Sequence, residues 1–393
     1  MKKIFIVGAS ILQLPAILKA KEMGLYVGVA DYDSHAVGIP HADVYYSVST
    51  IDEEGIFQAA KSFRADGIIT LATDMPIRAV SYTANKMNLI GLDYNTAVNA
   101  TNKGKMIEKL HDYNVPHPWF FKIVDIENLK NISEKLSYPC ICKPTDSSGS
   151  RGVILINNFL ELEQSILYSK QYSKSGEVII EEFMIGEEVS VEVLVYNKEY
   201  FILNITDKLT TGAPYFVELG HSQPSNLSTK ILEEIKKISI NALKALNINN
   251  GAAHVEIIVT EKGPKIVEVG ARMGGDCITT DLVPLSTGID MVKAVIQIAL
   301  GEKIDIVAKK SNGAAIRYLD SCQGQIISIA GIEIAKKIKG VEKIDLVKNV
   351  GDIYTGIKNS GDRIGYVIAT AKTAAEAVSI CETAKKYIKI EVK

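Results

Sequence analysis

The stretch that most constrains this chain is residues 252–276, which read AAHVEIIVTEKGPKIVEVGARMGGD. Two alternating runs flank Glu261-Lys262-Gly263-Pro264, a set of turn formers, so the stretch predicts an antiparallel hairpin. With the turn centred on Lys262, Glu256 stands directly opposite Glu268. Val255, Ile257, Val259, Val267 and Val269 fall on the other, apolar face. That pattern fixes the parity, because a one-residue slip would turn valines outward. Opposed residues in such a pair have Cβ atoms roughly 5 Å apart, so two carboxylates there destabilise the sheet unless a positive charge sits between them. A magnesium ion is an apt bridge, since it takes oxygen ligands and commonly uses one or two carboxylates plus substrate phosphates. Two solvated glutamates on an open sheet face are the alternative. Just beyond, Arg272 and the Gly274-Gly275 pair add a cation and bare backbone N–H groups, which suit a phosphate or carboxylate beside a metal. A structural arginine in a turn is the other reading.

The 393 residues predict two to four domains at roughly 100–200 residues each. Apolar runs at 3–8, 26–31 and Ile68–Thr70 alternate with helical patterns at 11–23 and near 54–63. Strand alternating with helix implies a parallel sheet covered on both faces, a Rossmann-like unit over 1–98. A helix at about 103–113 follows. Residues 118–187 change texture, with short strands at Cys140–Lys143, Val153–Asn157 and Val178–Glu182, and read as a small lid. Longer strands, a helix at 230–246, the hairpin and a helix at 290–300 fill 188–310. Strands near 313–319 and 364–371 and a helix at 373–387 close the chain. The predicted class is therefore α/β and α+β: a Rossmann-like domain over 1–98, a central domain over 99–310 whose lid is 118–187, and a small C-terminal α+β domain over 311–393.

Composition excludes several functions. Lys and Arg total 44 against 46 Asp and Glu, a net charge of −2, and there is a single Trp, so no basic field or basic-aromatic platform recruits nucleic acid or an anionic membrane. The cysteines at 140, 142, 277, 322 and 381 are scattered and odd in number, which is no disulfide framework and points to a reducing cytoplasm. Cys140-Ile141-Cys142 reads as strand packing rather than a metal site. Lys2, Lys3 and the apolar run to Leu18 superficially resemble a secretory signal. Gly8, Ser10, Gln13 and Pro15 interrupt that run and no cleavage site follows Ala20, so a buried strand turning into a helix explains it better. No later stretch is long and apolar enough to span a membrane. Gly8-Ala9-Ser10 after a strand, with Asp31 ending the next, suggests a dinucleotide fold. Ser10 and Gln13 stand where the second and third glycines belong, so the unit is expected to be a scaffold without such a cofactor. Thr73 and Asp74, just past a strand end, are placed to touch a substrate.

Pro144–Gly152 links two strands with small residues: Ser147, Ser148, Gly149, Ser150 and Gly152 can fold over an anion and present N–H groups. The loop neither matches the Walker pattern nor opens a helix. Lys143 enters it, and Lys103 opens the preceding helix. Each lysine alone reads as surface charge; with the loop and the carboxylate hairpin, the pair suits a triphosphate.

Together these motifs resemble the ATP-grasp superfamily over nearly the whole chain, especially its carboxylate–amine ligases, including the L-amino acid ligases. Asn102-Lys103 resembles the D-K pair before the lid, and Lys143-Pro144 with the 145–152 loop resembles the family's phosphate loop. Glu181-Glu182-Phe183-Met184 followed by Gly186–Val191 resembles the adenine and ribose segment, with Glu188 on the ribose. The resemblance implies an ATP-grasp fold, ATP with Mg2+ or Mn2+ as cofactors, Glu256 and Glu268 as metal ligands, and Arg272 with Lys143 as catalytic cations. It further implies that Lys103, Lys143, the small-residue loop, Glu181, Glu182, Phe183, Met184 and Glu188 bind nucleotide. Asp74, His221, Gly274 and Gly275 would meet substrate. His221 lies in a Gly220–Ser225 loop that resembles the amino-acid-ligase branch, though a surface loop residue is the other reading. One departure is Gly270, where many relatives carry a metal-binding Asn. The implied reaction joins a carboxylate to an amine through an acyl phosphate, releasing ADP and phosphate, between small molecules and without nucleic acid or membrane. A homodimer, a purine-pathway ligase such as phosphoribosylamine–glycine ligase, and an inactive nucleotide-binding sensor stay open.

Overall fold

The computed structural model describes residues 1–124, 132–147, 149 and 151–393. Four short strands, β1 (Lys3–Val7), β2 (Tyr26–Asp31), β3 (Val44–Ser47) and β4 (Gly67–Ile69), pair in parallel in the order β3-β2-β1-β4. A parallel sheet must be covered on both faces. Ile4, Ile6, Val27 and Val29 pack on helices Leu14–Glu22 and Met291–Ala299, while Phe5, Val7 and Ala30 pack on Glu53–Phe63 and Ile77–Met87. The helix Met291–Ala299 comes from far downstream, so the apolar core runs across the boundary read at residue 98.

Gly8 has a φ of +97°, and the space where its Cβ would stand is taken by the Gln13 side chain, whose Oε1 lies 2.8 Å away. Gln13 is 3% exposed, donates from Nε2 to the Leu71 carbonyl at 2.8 Å and accepts from Ser10 Oγ at 2.7 Å. The first helix consequently begins at Leu14 rather than at residue 11. Asp31 accepts from the N–H groups of Ala9 at 2.8 Å and Asp33 at 3.0 Å. The turn that would cradle a pyrophosphate is filled by the chain's own side chain, and its acidic neighbour is engaged by backbone.

The stretch read as a lid holds an antiparallel sheet of β5 (Phe120–Ile123), β6 (Cys140–Pro144), β7 (Ile154–Ile156) and β8 (Val178–Glu182), in the order β5-β8-β6-β7. Cys140, Cys142, Ile156, Val178 and Ile180 bury one face against the helix Leu162–Lys170. Burial pushes the Cys140 and Cys142 thiols up to about 11 and about 12, so both behave as apolar packing groups. By alternation, Ile141, Lys143 and Glu181 project from the opposite face.

The remaining strands are β9 (Glu187–Tyr196), β10 (Glu199–Thr210), β11 (Glu218–Gln223), β12 (Gly251–Thr260), β13 (Gly263–Gly270), β14 (Gly313–Leu319), β15 (Gly324–Ala330), β16 (Val341–Leu346), β17 (Ile353–Tyr354), β18 (Gly365–Ala371) and β19 (Lys389–Val392). Eight of them form one sheet, β13-β12-β9-β10-β11-β14-β18-β16, and three form a small one, β17-β15-β19. Val189, Val191, Val193, Val195, Val255 and Ile257 bury the large sheet's apolar face against the helix Thr229–Ala245. Gly220 pairs with Arg317 across β11 and β14. The Gly220–Ser225 stretch read as a loop is thus largely a strand, and it joins the C-terminal strands to the central sheet. The helix Ala374–Tyr387 covers that end with its own core.

Glu256 pairs with Glu268, as the alternation predicts, but the register shifts between Glu256 and Ile257, so that Ile257 faces Ile266 and Thr260 faces Gly263. The turn is therefore the Glu261-Lys262 pair rather than one centred on Lys262, and Val267 is the extra residue of a bulge. Ile266, not Val267, enters the core. Val267 lines the cavity described below.

Among the described residues no single helix is long and apolar enough to cross a membrane; a pair that passes together by length and composition is bent by 112°. The filled Gly8–Gln13 turn makes a direct forecast. Calorimetric titration with NAD and NADP should show no binding at micromolar concentrations, and saturable heat from either would contradict it.

Candidate active site

The polar face of the large sheet alternates with its apolar one. Ser190 and Glu192 on β9, Thr206 and Lys208 on β10, and His254 and Glu256 on β12 share it, since Ser190 pairs with both Glu256 and Thr206, and Glu192 with His254. The lid's inner face lies over it, and a cavity of about 570 Å³ opens between them. Lys103, Lys143, Ser147, Gly149, Glu181, Glu182, Phe183, Met184, Glu188, Glu256 and Glu268 all line it. Its size is typical of a small-molecule cleft.

Six carboxylates of the cavity meet a cation: Glu181, Glu182, Glu188, Glu218, Glu256 and Glu268. Lys143 Nζ lies 2.6 Å from Glu181 on the neighbouring lid strand, and Lys265 the same distance from Glu182. Lys103, at the start of the helix Lys103–Asp112, reaches Glu268 Oε1 at 2.8 Å and the Ser147 carbonyl at 2.8 Å. Burial opposes its charge, but the Glu268 carboxylate more than compensates and raises its pKa. Lys208 contacts Glu188, and lies 3.2 Å from Glu256 and 3.6 Å from Glu218. Desolvation counts against Lys208 too, yet the fields of Glu256, Glu188 and Glu218 hold it well above the usual lysine range. Burial would raise Glu256, whereas Lys208 and His254 hold it well below the carboxylate range.

His254 sits between two acids, with Nδ1 2.9 Å from Glu192 Oε1 and Nε2 3.4 Å from Glu256 Oε1. Against the desolvation penalty, the Glu192 and Glu256 carboxylates raise its pKa from 6.5 to about 9. Gly274 runs directly over this pair: a Cβ there would stand 2.6 Å from His254 Nδ1 and 2.8 Å from Glu192 Oε2. Only glycine permits that approach.

Arg272 forks onto Asp74, with Nε to Oδ1 at 2.9 Å and Nη2 to Oδ2 at 3.1 Å. Burial acts against both charges, and their mutual attraction overrides it, raising the arginine and lowering the aspartate. Asp74 lines a second cavity of about 360 Å³ that shares Lys103, Ser147 and Glu268 with the first. Arg272 itself lines neither space; it meets the second one through Asp74.

Other sequence candidates fall elsewhere. His221 is 1% exposed, on a strand, with Nε2 3.2 Å from Asp276, so it is neither a loop nor a surface residue. Asp276 is gripped by Arg363 at 2.7 and 2.8 Å, and Arg363 stacks on Tyr318. His221, Gly274 and Gly275 line neither cavity. Gly152 is packed between Pro144 and Tyr172 rather than open to the cleft. Ser148 and Ser150 lie outside the described residues. The sequence reading missed Lys208, Glu218, Glu192 and His254. His254 had a signal, standing two residues before Glu256 on the same strand face.

The shift of His254 sets a pH dependence. A raised folded-state pKa means its contribution to stability is fully present below the unfolded value near 6.5 and is lost as pH rises through about 9. An imidazole NMR titration should give one histidine with a midpoint near 9, abolished by His254→Gln; a His254 midpoint at or below 6.5 would contradict the buried imidazolium.

Comparison with known proteins bears on this geometry. Residues 136–281 match the ATP-grasp domain, and residues 317–393 match the L-amino acid ligase C-terminal domain 2. The chain is 28% identical over 385 residues to the uncharacterized protein y4rH of Sinorhizobium fredii, covering 96% of this chain and 78% of that protein. It is 25% identical over 323 residues to the alanine–anticapsin ligase of Bacillus subtilis, covering 76% and 67% respectively. The crystal structure of an L-amino acid ligase from Bacillus licheniformis superposes with a TM-score of 0.87 at 23% identity, covering 100% of this chain and 99% of that one. The cavity, the carboxylate hairpin and these two matched regions agree: the chain carries an ATP-grasp domain and an L-amino acid ligase type of C-terminal domain, the make-up of an ATP-dependent carboxylate–amine ligase.

Proposed function

We propose that this ligase transfers the γ-phosphoryl group of ATP to the carboxylate of an amino acid and passes the acyl group to the amine of a second one. The observation that carries the reading is the in-register Glu256–Glu268 pair, with Lys103 and Lys208 on its two carboxylates. The donor set suits magnesium. Among the described residues no three His, Cys, Asp or Glu side chains are grouped to hold a metal alone, and Gly270 cannot ligate. An ion on Glu256 and Glu268 would complete its shell from phosphates and water, which is how magnesium is usually held. When bound, it supplies charge neutralisation at the phosphates.

The chain's own residues account for the rest. We assign Phe183, Met184 and the Glu181–Glu182 strand end to the adenine, Glu188 to the ribose, and Lys103, Lys143, Ser147 and Gly149 to the phosphates. An attacking carboxylate and a triphosphate repel each other, and we assign Arg272, held on Asp74, to offset that charge in the transition state. One carboxylate oxygen bonds to the γ-phosphorus as the bond to ADP breaks; the amine then adds to the acyl carbon, phosphate leaves and the amine gives up a proton. The lid, residues 118–187, would keep water from the acyl phosphate. Asp74 holds Arg272 and borders the second cavity, which we assign to substrate. A purine-pathway ligase shares the fold.

Two outcomes test this. With candidate amino acids and hydroxylamine in place of the amine, the enzyme should form a hydroxamate and release ADP and one phosphate for each; AMP and pyrophosphate would refute the acyl phosphate. Glu268→Gln should keep its fold by circular dichroism and lose on the order of 100-fold or more in turnover, most severely at limiting magnesium. Unchanged turnover there would remove Glu268 from the metal.

A further inference from the structure

Lys208 has only 3% of its side chain exposed, yet its ammonium contacts three carboxylates from three different strands: Glu188 on β9, Glu218 on β11 and Glu256 on β12. The ammonium donates hydrogen bonds to Glu188 and Glu256 and pairs with Glu218 across 3.6 Å. The Glu256 carboxylate is met on its other oxygen by His254 at 3.4 Å, so both of its oxygens face positive groups. Across the hairpin Glu268 is held by Lys103 at 2.8 Å. Both carboxylates read as metal ligands are thus held by a lysine of the chain itself.

A divalent cation arriving at Glu256 would stand within a few ångströms of the Lys208 ammonium. In a nearly buried site that repulsion is weakly screened. It is relieved only if anions enter with the cation, and the phosphates of a nucleotide are such anions. Lys208 has no slack to retreat into bulk water, because it is enclosed by the sheet and the cavity wall. What can change is its share among the three acids: Glu188 and Glu218 remain to hold it when Glu256 is given up.

We propose that Lys208 is a positioning residue for phosphoryl transfer: it holds the Glu256 carboxylate until phosphates bring a divalent cation, so that metal and nucleotide load together. The proposal rests on Glu256 being a metal ligand. It assigns Lys208 a different task from Lys103 and Lys143, which face the phosphate loop. Such coupling is reciprocal, so the nucleotide tightens the metal as much as the metal tightens the nucleotide.

The test is Mn2+ binding to the full chain, followed by electron paramagnetic resonance with and without ADP. Without nucleotide, Lys208→Met should bind Mn2+ at least about tenfold more tightly than the unsubstituted chain. Adding Glu256→Gln should erase the gain, and Lys208→Arg, which keeps the charge, should show none. Removing the lysine from three acids threatens folding, so Lys208→Met with Glu218→Gln, compared with Glu218→Gln alone, repeats the measurement with one carboxylate fewer. Equal nucleotide-free affinity with and without Lys208 overturns the proposal, if Glu256→Gln still weakens Mn2+ binding in the presence of ADP. If Glu256→Gln leaves that binding unchanged, the metal reading of Glu256 falls, and the proposal with it.

Discussion

Two like charges placed face to face on a hairpin determine much of this molecule. At the roughly 5 Å expected between opposed side chains, and an effective dielectric of about 20, Glu256 and Glu268 repel by about 3 kcal/mol. A cation at salt-bridge distance returns roughly 5 kcal/mol under the same assumption, before its own desolvation. Lys103 and Lys208 oppose the repulsion, one from each side. Neither lysine belongs to the hairpin. Holding the carboxylates fixes the helix Lys103–Asp112 and strand β10 relative to β12 and β13, and thereby closes two walls of the cavity.

The same constraint explains why the site is spread over so much chain. Glu188, Lys208, Glu218, Glu256 and Glu268 come from five strands of one sheet, yet strand alternation brings all five to the cavity. The opposite face needs only valine and isoleucine to hold the helix Thr229–Ala245. Three polar residues buried on the working face are joined: Ser190 donates to Glu192 at 2.9 Å, and Glu192 holds His254. Fully satisfied networks of this kind can be buried without a large penalty, and they keep the sheet's polar face in one arrangement.

Most of the element order was legible, because period-two valine runs and period-3.6 helices carry their own signals. The Glu256–Glu268 facing was legible for the same reason. The bulge at Val267 was not: Ile266, Val267 and Val269 are all strand formers, and nothing in the composition marks which one is extra. Strand β11 was hidden because Gly220, Ser222, Gln223 and Pro224 favour no strand, and pairing with β14 overrides that weak preference. Lys208 was invisible because a single lysine in a strand reads as solvated charge until the three carboxylates are placed around it. Arg272 and Asp74 were each singled out, but no pattern across 198 positions announces that they fork together.

The central claim is that charge is gathered for attack of a carboxylate on the terminal phosphorus. Its most direct test follows the oxygen atom. A substrate labelled with oxygen-18 in its carboxylate, turned over with ATP and the amine, should deliver the label into the released phosphate, one labelled oxygen for each amide bond formed. Label appearing in AMP, or phosphate released without label while amide accumulates, would contradict transfer through an acyl phosphate.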